Sequence, residues 1–108
     1  MEFKRLDDKL TVSGQLSATD VAALAEQGVK VLICNRPDGE GNDQCSFTEI
    51  QTEAEKHGMQ CHYLPVVSGR VEDGDAEAFG KVLDETTEPV HAYCRSGMRS
   101  TTLWALSQ

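Results

Sequence analysis

The amino-acid sequence predicts an α/β fold, a mostly parallel central sheet flanked by helices, and three observations carry that reading. Short apolar runs of strand length alternate along the 108-residue chain with segments whose apolar residues recur at helical spacing. The order strand, helix, strand, helix, strand, helix is that of right-handed crossovers between parallel strands. Two helical segments run into glycines, Gly28 and Gly58, placed where a helix stops.

Lys9 to Val12, with Phe3 to Leu6 before it, reads as a short hairpin-like start that breaks at Gly14. Ser17 or Thr19 caps a first helix in which Val21, Leu24 and Ala25 share a face. Val29 to Cys34 is a continuous apolar run, the mark of a strand covered on both faces. Asn35 to Asp43 is polar and glycine-rich, long for a connection and so a functional candidate. Ser46-Phe47-Thr48-Glu49 has the form of a capping box and opens a second helix through Ile50 and Ala54. Gln60 to Val67 is the next strand, Ser68 to Gly74 a second polar loop, and Asp75 to about Thr86 a third helix with Phe79, Val82 and Leu83 inward. Pro89 to Cys94 is the last strand. Met98 starts a last helix with no stop signal, in which Trp104 needs a packing partner, so this single domain is expected to be the N-terminal part of a longer protein.

A hydrophobic content of 39% is ordinary for one soluble core. No apolar run approaches the roughly 20 residues of a membrane span, and Met1 to Arg5 lacks the apolar stretch of a signal peptide. A cytoplasmic protein is expected, with Cys34, Cys45, Cys61 and Cys94 as thiols rather than a disulfide framework. The net charge of -8 argues against nucleic acid as a partner. Yet Arg36, Arg70, Arg95 and Arg99 all lie in loops that follow predicted strands. A local basic pocket in an acidic protein suits a small anionic substrate.

In parallel sheets, ligands bind beyond the carboxyl ends of the strands. The loops after Cys34, Val67 and Cys94 emerge there, so Arg36, Arg70, Cys94 and Arg99 can converge. The segment Val90-His91-Ala92-Tyr93-Cys94-Arg95-Ser96-Gly97-Met98-Arg99-Ser100 joins a strand to a helix. A cysteine at that junction meets unpaired backbone N–H groups and the positive end of a helix dipole, which bind an oxyanion and lower a thiol pKa together. Gly97 permits a turn tight enough to aim several amides at one centre, and Arg99 can return a planar fork of donors to the same anion. The segment describes a thiolate nucleophile in an anion cradle. The plainer alternative is a strand-to-helix turn with a buried cysteine and a surface arginine.

Ala92 to Ser100, together with Ile33-Cys34-Asn35-Arg36-Pro37-Asp38-Gly39-Glu40 and Leu64-Pro65-Val66, resembles the beta-lactamase-hydrolase-like family over essentially all 108 residues. These are phosphatase-like domains also described as sulfur transferases. The resemblance implies the fold of dual-specificity phosphatases and rhodaneses. It also implies a domain that stands alone or is fused to a sulfide-oxidising partner, such as a persulfide dioxygenase or a flavin-dependent sulfide:quinone reductase.

Two chemistries stay open under that resemblance. Cysteine phosphatases have five residues between Cys and Arg and rhodanese sulfurtransferases have four; this chain has Arg95, Ser96, Gly97 and Met98. The shorter loop suggests a smaller cradle, suited to a persulfide sulfur. Phosphatases also place a His before the nucleophile, where this chain has Tyr93. Their general acid, worth roughly 100- to 10,000-fold, is an Asp in the loop after the preceding strand. There Leu64-Pro65-Val66-Val67-Ser68 offers only Ser68, while Asp73 and Asp75 read as the acidic first turn of the next helix. Sulfite leaves thiosulfate without protonation. These counts favour a rhodanese-type sulfurtransferase. The alternatives are a cysteine-dependent tyrosine or dual-specificity-type phosphatase working through a phosphocysteine, and a non-catalytic module that senses persulfides or anions.

In the expected sulfur transfer, the Cys94 thiolate takes sulfane sulfur from a small anionic donor, thiosulfate or glutathione persulfide. It then passes the sulfur to a thiol, cyanide or glutathione. Cys94 and Arg99 are the catalytic residues, and the amides around Arg95, Ser96, Gly97 and Met98 hold the anionic sulfur. Ser100 donates a hydrogen bond to Cys94, and Arg36 and Arg70 hold the donor's anionic end. No cofactor is expected, nor a metal, because the cysteines and His57, His62 and His91 lack paired ligand spacing. Cys34 and Cys61 read as core thiols, Cys45 as a candidate resolving thiol and His91 as a satisfied core histidine. Asp38 and Glu40 are either ion-pair partners of Arg36 or Arg99 or solvated charges.

Overall fold

The fully buried run Val31–Cys34 forms β3, an interior strand of a five-stranded sheet in a computed structural model that describes residues 3–108. Around it the chain runs β1 (Phe3–Arg5), β2 (Leu10–Ser13), α1 (Ala18–Glu26), β3, α2 (Phe47–Lys56), β4 (Gln60–Tyr63), α3 (Asp73–Asp84), β5 (Val90–Tyr93) and α4 (Met98–Leu106). The strand order is β1-β2-β5-β3-β4. Only the β1–β2 pair is antiparallel; β2 with β5, β5 with β3 and β3 with β4 are parallel. The expected α/β architecture is therefore the observed one, with β5 between β2 and β3.

Alternation along the strands sorts side chains into two layers. Leu10, Val12, Val31, Ile33, Val90 and Ala92 pack with Phe79 and Leu83 of α3 and Leu103 of α4. Leu32, Cys34 and Tyr93 face the other way, onto Val21 and Leu24 of α1 and Ile50 and Ala54 of α2. Burial on both faces explains why the interior strands read as continuous apolar runs.

Ser17 caps α1 in a full box, accepting from the Asp20 N–H while the Asp20 carboxylate accepts from the Ser17 N–H at 2.9 Å. The box at α2 is only half formed. Ser46 Oγ accepts from the Glu49 N–H at 3.2 Å, and its hydroxyl then donates to the Glu49 carboxylate. Asp38 takes the neighbouring Phe47 N–H at 2.8 Å. β4 ends at Tyr63 rather than Val67. Leu64 and Val66 still donate to Cys34 O and Asn35 O, but Pro65 between them has no N–H to extend a ladder. α3 starts earlier than expected because Glu72 is its N-cap and Asp75 sits at N3, accepting from the Glu72 N–H.

Trp104 finds its partner inside the chain. It packs against the α3 and α4 layer, and its Nε1 donates to Asp7 Oδ2 at 3.1 Å. Among the described residues no helix is long and apolar enough to cross a membrane.

Candidate active site

β5 carries the candidate nucleophile to the carboxyl end of the sheet between two neighbours that hold it there. Cys94 N donates to Ser13 O at the end of β2, and Asn35 N donates to Tyr93 O from the end of β3. Gly97, three residues after Cys94, is the N-cap of α4 at φ 92°. That left-handed conformation is natural only to glycine. A Cβ there would also lie 3.3 Å from the Ser13 backbone. The turn aims the Gly97 N–H at Cys94 Sγ, 3.0 Å away.

Cys94 is fully buried. Burial alone pushes its thiol up, but hydrogen bonds from the backbone amides of Ser100, Ser96, Arg99 and Gly97 outweigh it and hold the thiol below its ordinary value. The donors differ from those expected in two respects. Arg95 contributes its carbonyl, which accepts from Gln15 N, and the Met98 N–H turns to Ser96 Oγ. Ser100 serves through its amide, because its hydroxyl donates to Asn35 Oδ1 at 2.8 Å instead of to the sulfur.

Arg99 lies in the first turn of α4 and is nearly buried. Its Nη1 donates to Glu40 Oε2 at 2.9 Å and to Val66 O at 2.8 Å, and its Nη2 donates to Glu40 Oε1 at 2.7 Å. A guanidinium has five N–H donors. Those three bonds use the outer edge and leave Nε–H and one Nη2–H side by side, a bidentate edge with no partner among the described residues. The Glu40 hydrogen bond holds the Arg99 pKa above its usual value, and in return Arg99 pulls the Glu40 carboxyl below the usual range. Glu40 is thus an ion-pair partner, whereas Asp38 caps α2.

Arg36 does not stand ready for a ligand's anionic end. It is only 6% exposed, its Nε donates to Glu40 Oε1 at 3.0 Å and its Nη1 to Gln15 Oε1 at 3.0 Å. Arg70 is exposed in the turn after β4, and its side chain makes no hydrogen bond among the described residues. The structure therefore gathers Cys94, Ser96, Gly97, Arg99 and Ser100, with Arg36 one step behind through Glu40, and leaves Arg70 outside. The side chains of Arg95 and Met98 face solvent.

Three contributors escaped the sequence reading. Asn35, fully buried, donates to Leu64 O and accepts from Ser100, tying the ends of β3 and β4 to α4. Gln15 joins Arg95 to Arg36, and Val66 supplies a carbonyl. Backbone groups and amide side chains carry no sequence signature of their own, so nothing marked these three. Tyr93, in the position before the cysteine, has a buried hydroxyl without a hydrogen-bond partner among the described residues. Burial and the nearby Cys34 thiol raise its pKa. His91 is the satisfied core histidine expected of it, with Nδ1 paired to Thr11 Oγ1 and Nε2 to Ser13 Oγ, both at 2.7 Å, and burial lowers its pKa to about 4.

The family model of the beta-lactamase hydrolase-like protein, phosphatase-like domain, matches residues 2–108. The chain belongs to this family. A beta-lactamase hydrolase-like protein of Agrobacterium fabrum is 34% identical over 108 residues, which are all of this chain and 25% of that protein. The chain thus spans a quarter of the length of the curated relatives it matches. A Neisseria meningitidis protein whose crystal structure carries a provisional phosphatase assignment is 38% identical, covers 93% of this chain and 71% of its own, and superposes with a TM-score of 0.87. P. aeruginosa TpbA, crystallised with phosphotyrosine, shares the fold at a TM-score of 0.72 and 21% identity, over 95% of this chain and 59% of its own.

These matches overturn the expectation of a rhodanese-type sulfurtransferase, since the family and the similar structures are phosphatase-like. The physical error lay in taking a residue count for a cradle size. The left-handed Gly97 turns its own N–H onto the sulfur at 3.0 Å, and Arg99 lies in the first turn of α4 rather than at the end of a loop.

Proposed function

We propose that this domain is a cysteine-dependent phosphatase that works through a phosphocysteine. The observation that carries the reading is Cys94 Sγ accepting backbone amides at the start of α4 while Arg99 keeps its inner edge unpaired. A substrate phosphoryl group brings oxygens that take over such amides, and the free Arg99 edge grips two of them at once. Sγ attacks phosphorus as the bond to the leaving oxygen breaks. Water then attacks the phosphocysteine, releasing inorganic phosphate and restoring the thiolate. The similar Neisseria meningitidis structure, with its provisional phosphatase assignment, supports this class.

The leaving oxygen takes its proton from water in this scheme. The loop after β4 meets Arg99 with the Val66 carbonyl, and Asp75 is spent on the first turn of α3. Aryl phosphates, whose leaving groups are stable as anions, should therefore turn over faster than alkyl phosphates. The deciding experiment is hydrolysis of an aryl phosphate by the wild-type domain and by Cys94→Ser. Turnover confined to the wild type is expected; equal turnover by the variant would remove Cys94 from the chemistry.

A further inference from the structure

The two arginines near the site are bonded to one carboxylate, and the second has no path of its own to the anion. Starting at the catalytic loop, Arg95 O accepts from Gln15 N at 3.4 Å, and Gln15 Oε1 accepts from Arg36 Nη1 at 3.0 Å. Arg36 Nε donates to Glu40 Oε1, and Glu40 returns to the loop through both Nη groups of Arg99. The circuit closes on itself through residues 95–99. We propose that Arg36 is a positioning residue, holding Glu40 so that Glu40 fixes the outer edge of Arg99 and presents the inner edge to the phosphoryl group. The inference rests on the phosphatase reading of the same site.

Three features require a fixing partner for Glu40. It sits between Gly39, at φ 79°, and Gly41, in a loop with little side-chain packing of its own. Its side chain is 24% exposed, so water competes for it. Arg36 by contrast is buried with the Gly41 backbone laid on it: a Cβ at Gly41 would fall 2.6 Å from Arg36 Nη2. A planar fork holds Glu40 and Gln15 in two fixed directions at once, a geometry that the flexible ammonium of a lysine does not preset. Two guanidinium groups against one carboxylate also leave the circuit a single positive charge, so the site stays attractive to an anion.

A positioning role and a purely electrostatic one predict opposite signs. Removing the Glu40 charge should tighten anion binding if charge alone matters, and weaken it if Glu40 aims Arg99. The test measures orthovanadate affinity, kcat/KM on an aryl phosphate and Tm for Glu40→Gln, Arg36→Met, the double variant and Gln15→Leu. Glu40→Gln is expected to weaken vanadate about 10- to 100-fold, the scale of a displaced catalytic group, and Arg36→Met about tenfold. The double variant should match Glu40→Gln within about twofold, because residues acting through one contact are not additive. Gln15→Leu should weaken vanadate in the same direction by less. Tighter binding in Glu40→Gln, or a double variant that loses the product of the single losses, overturns the proposal. If Arg36→Met does not fold, Gln15→Leu decides, and wild-type affinity there overturns it too. A wild-type domain that binds vanadate without hydrolysing the ester overturns the phosphatase reading and leaves the relay standing; one that binds no vanadate overturns both.

Discussion

Strands β3 and β5 lie side by side, and each delivers a buried cysteine to the same edge of the sheet, Cys34 as the last residue of β3 and Cys94 just after β5. The two thiols shift in opposite directions. Burial raises Cys34, whose Sγ donates to Arg36 O at 3.2 Å, whereas backbone amides at the start of α4, the Gly97 N–H at 3.0 Å among them, lower Cys94. Burial is common to both; at Cys94 the backbone amides outweigh it, and at Cys34 burial prevails. After β5 a left-handed glycine starts a helix and turns N–H groups inward; after β3 the chain turns a carbonyl inward. A thiol facing a carbonyl holds its proton more tightly, and one facing amides holds it less tightly.

The largest effect that tests this contrast is on turnover. Cys94→Ser should lower aryl phosphate hydrolysis by about 10,000-fold or more, the scale seen when a nucleophile is removed. Cys34→Ser should stay within about threefold, since a serine hydroxyl can keep the bond to Arg36 O and Cys34 takes no part in the chemistry. A comparable loss at both would erase the distinction. Next in size is reactivity toward iodoacetamide at pH 7. Cys94 should be alkylated at least about tenfold faster than Cys34 or Cys61 in the native domain, following thiolate fraction. The Cys61 thiol is pushed up to about 11 by burial. Peptide mapping of the alkylated protein reads this, and equal labelling of Cys34 and Cys94 would contradict it.

His91, three residues before Cys94 on β5, meets burial without any opposing amide. Its folded pKa, about 4, lies below the unfolded value of 6.5, so the unfolded chain binds the extra proton between those values. Folding stability should therefore be lost as the pH falls from about 6.5 to about 4, by on the order of 3 kcal/mol. Glu40, depressed by Arg99, adds a loss in the same sense as the pH falls through its folded pKa. Urea titrations of the wild type and of His91→Gln across that range check the point, the variant giving the shallower slope. The smallest effect concerns the turn itself. Gly97→Ala should cost roughly 1 to 3 kcal/mol, as a non-glycine residue in a left-handed cap, and should slow Cys94 alkylation as the amides lose their aim.

The part of this contrast that was legible in the sequence follows from side-chain pattern. Apolar runs at Val29 to Cys34 and Pro89 to Cys94, Ser17 or Thr19 as a cap and Gly28 as a stop located β3, β5 and α1 within a residue or two. Cys94, Gly97 and Arg99 announced an anion site because their chemistry is carried by the residues themselves. What stayed hidden is set by tertiary approach. Glu40 could be either an ion-pair partner of Arg36 or Arg99 or a solvated charge, as could Asp38, until Arg99 is brought across from α4, and Arg36 looked like a ligand arginine until Gln15 and Gly41 enclosed it. The count of residues between Cys94 and Arg99 misled for the same reason, since amide direction is not a property of loop length.

The most direct test is mass spectrometry of the domain acid-quenched during turnover of an aryl phosphate. The expected result is one added phosphoryl group on the peptide containing Cys94 and none on the peptides containing Cys34, Cys45 or Cys61. Steady hydrolysis with Cys94 unmodified throughout, or a phosphoryl group on another residue that survives Cys94→Ser, would contradict it.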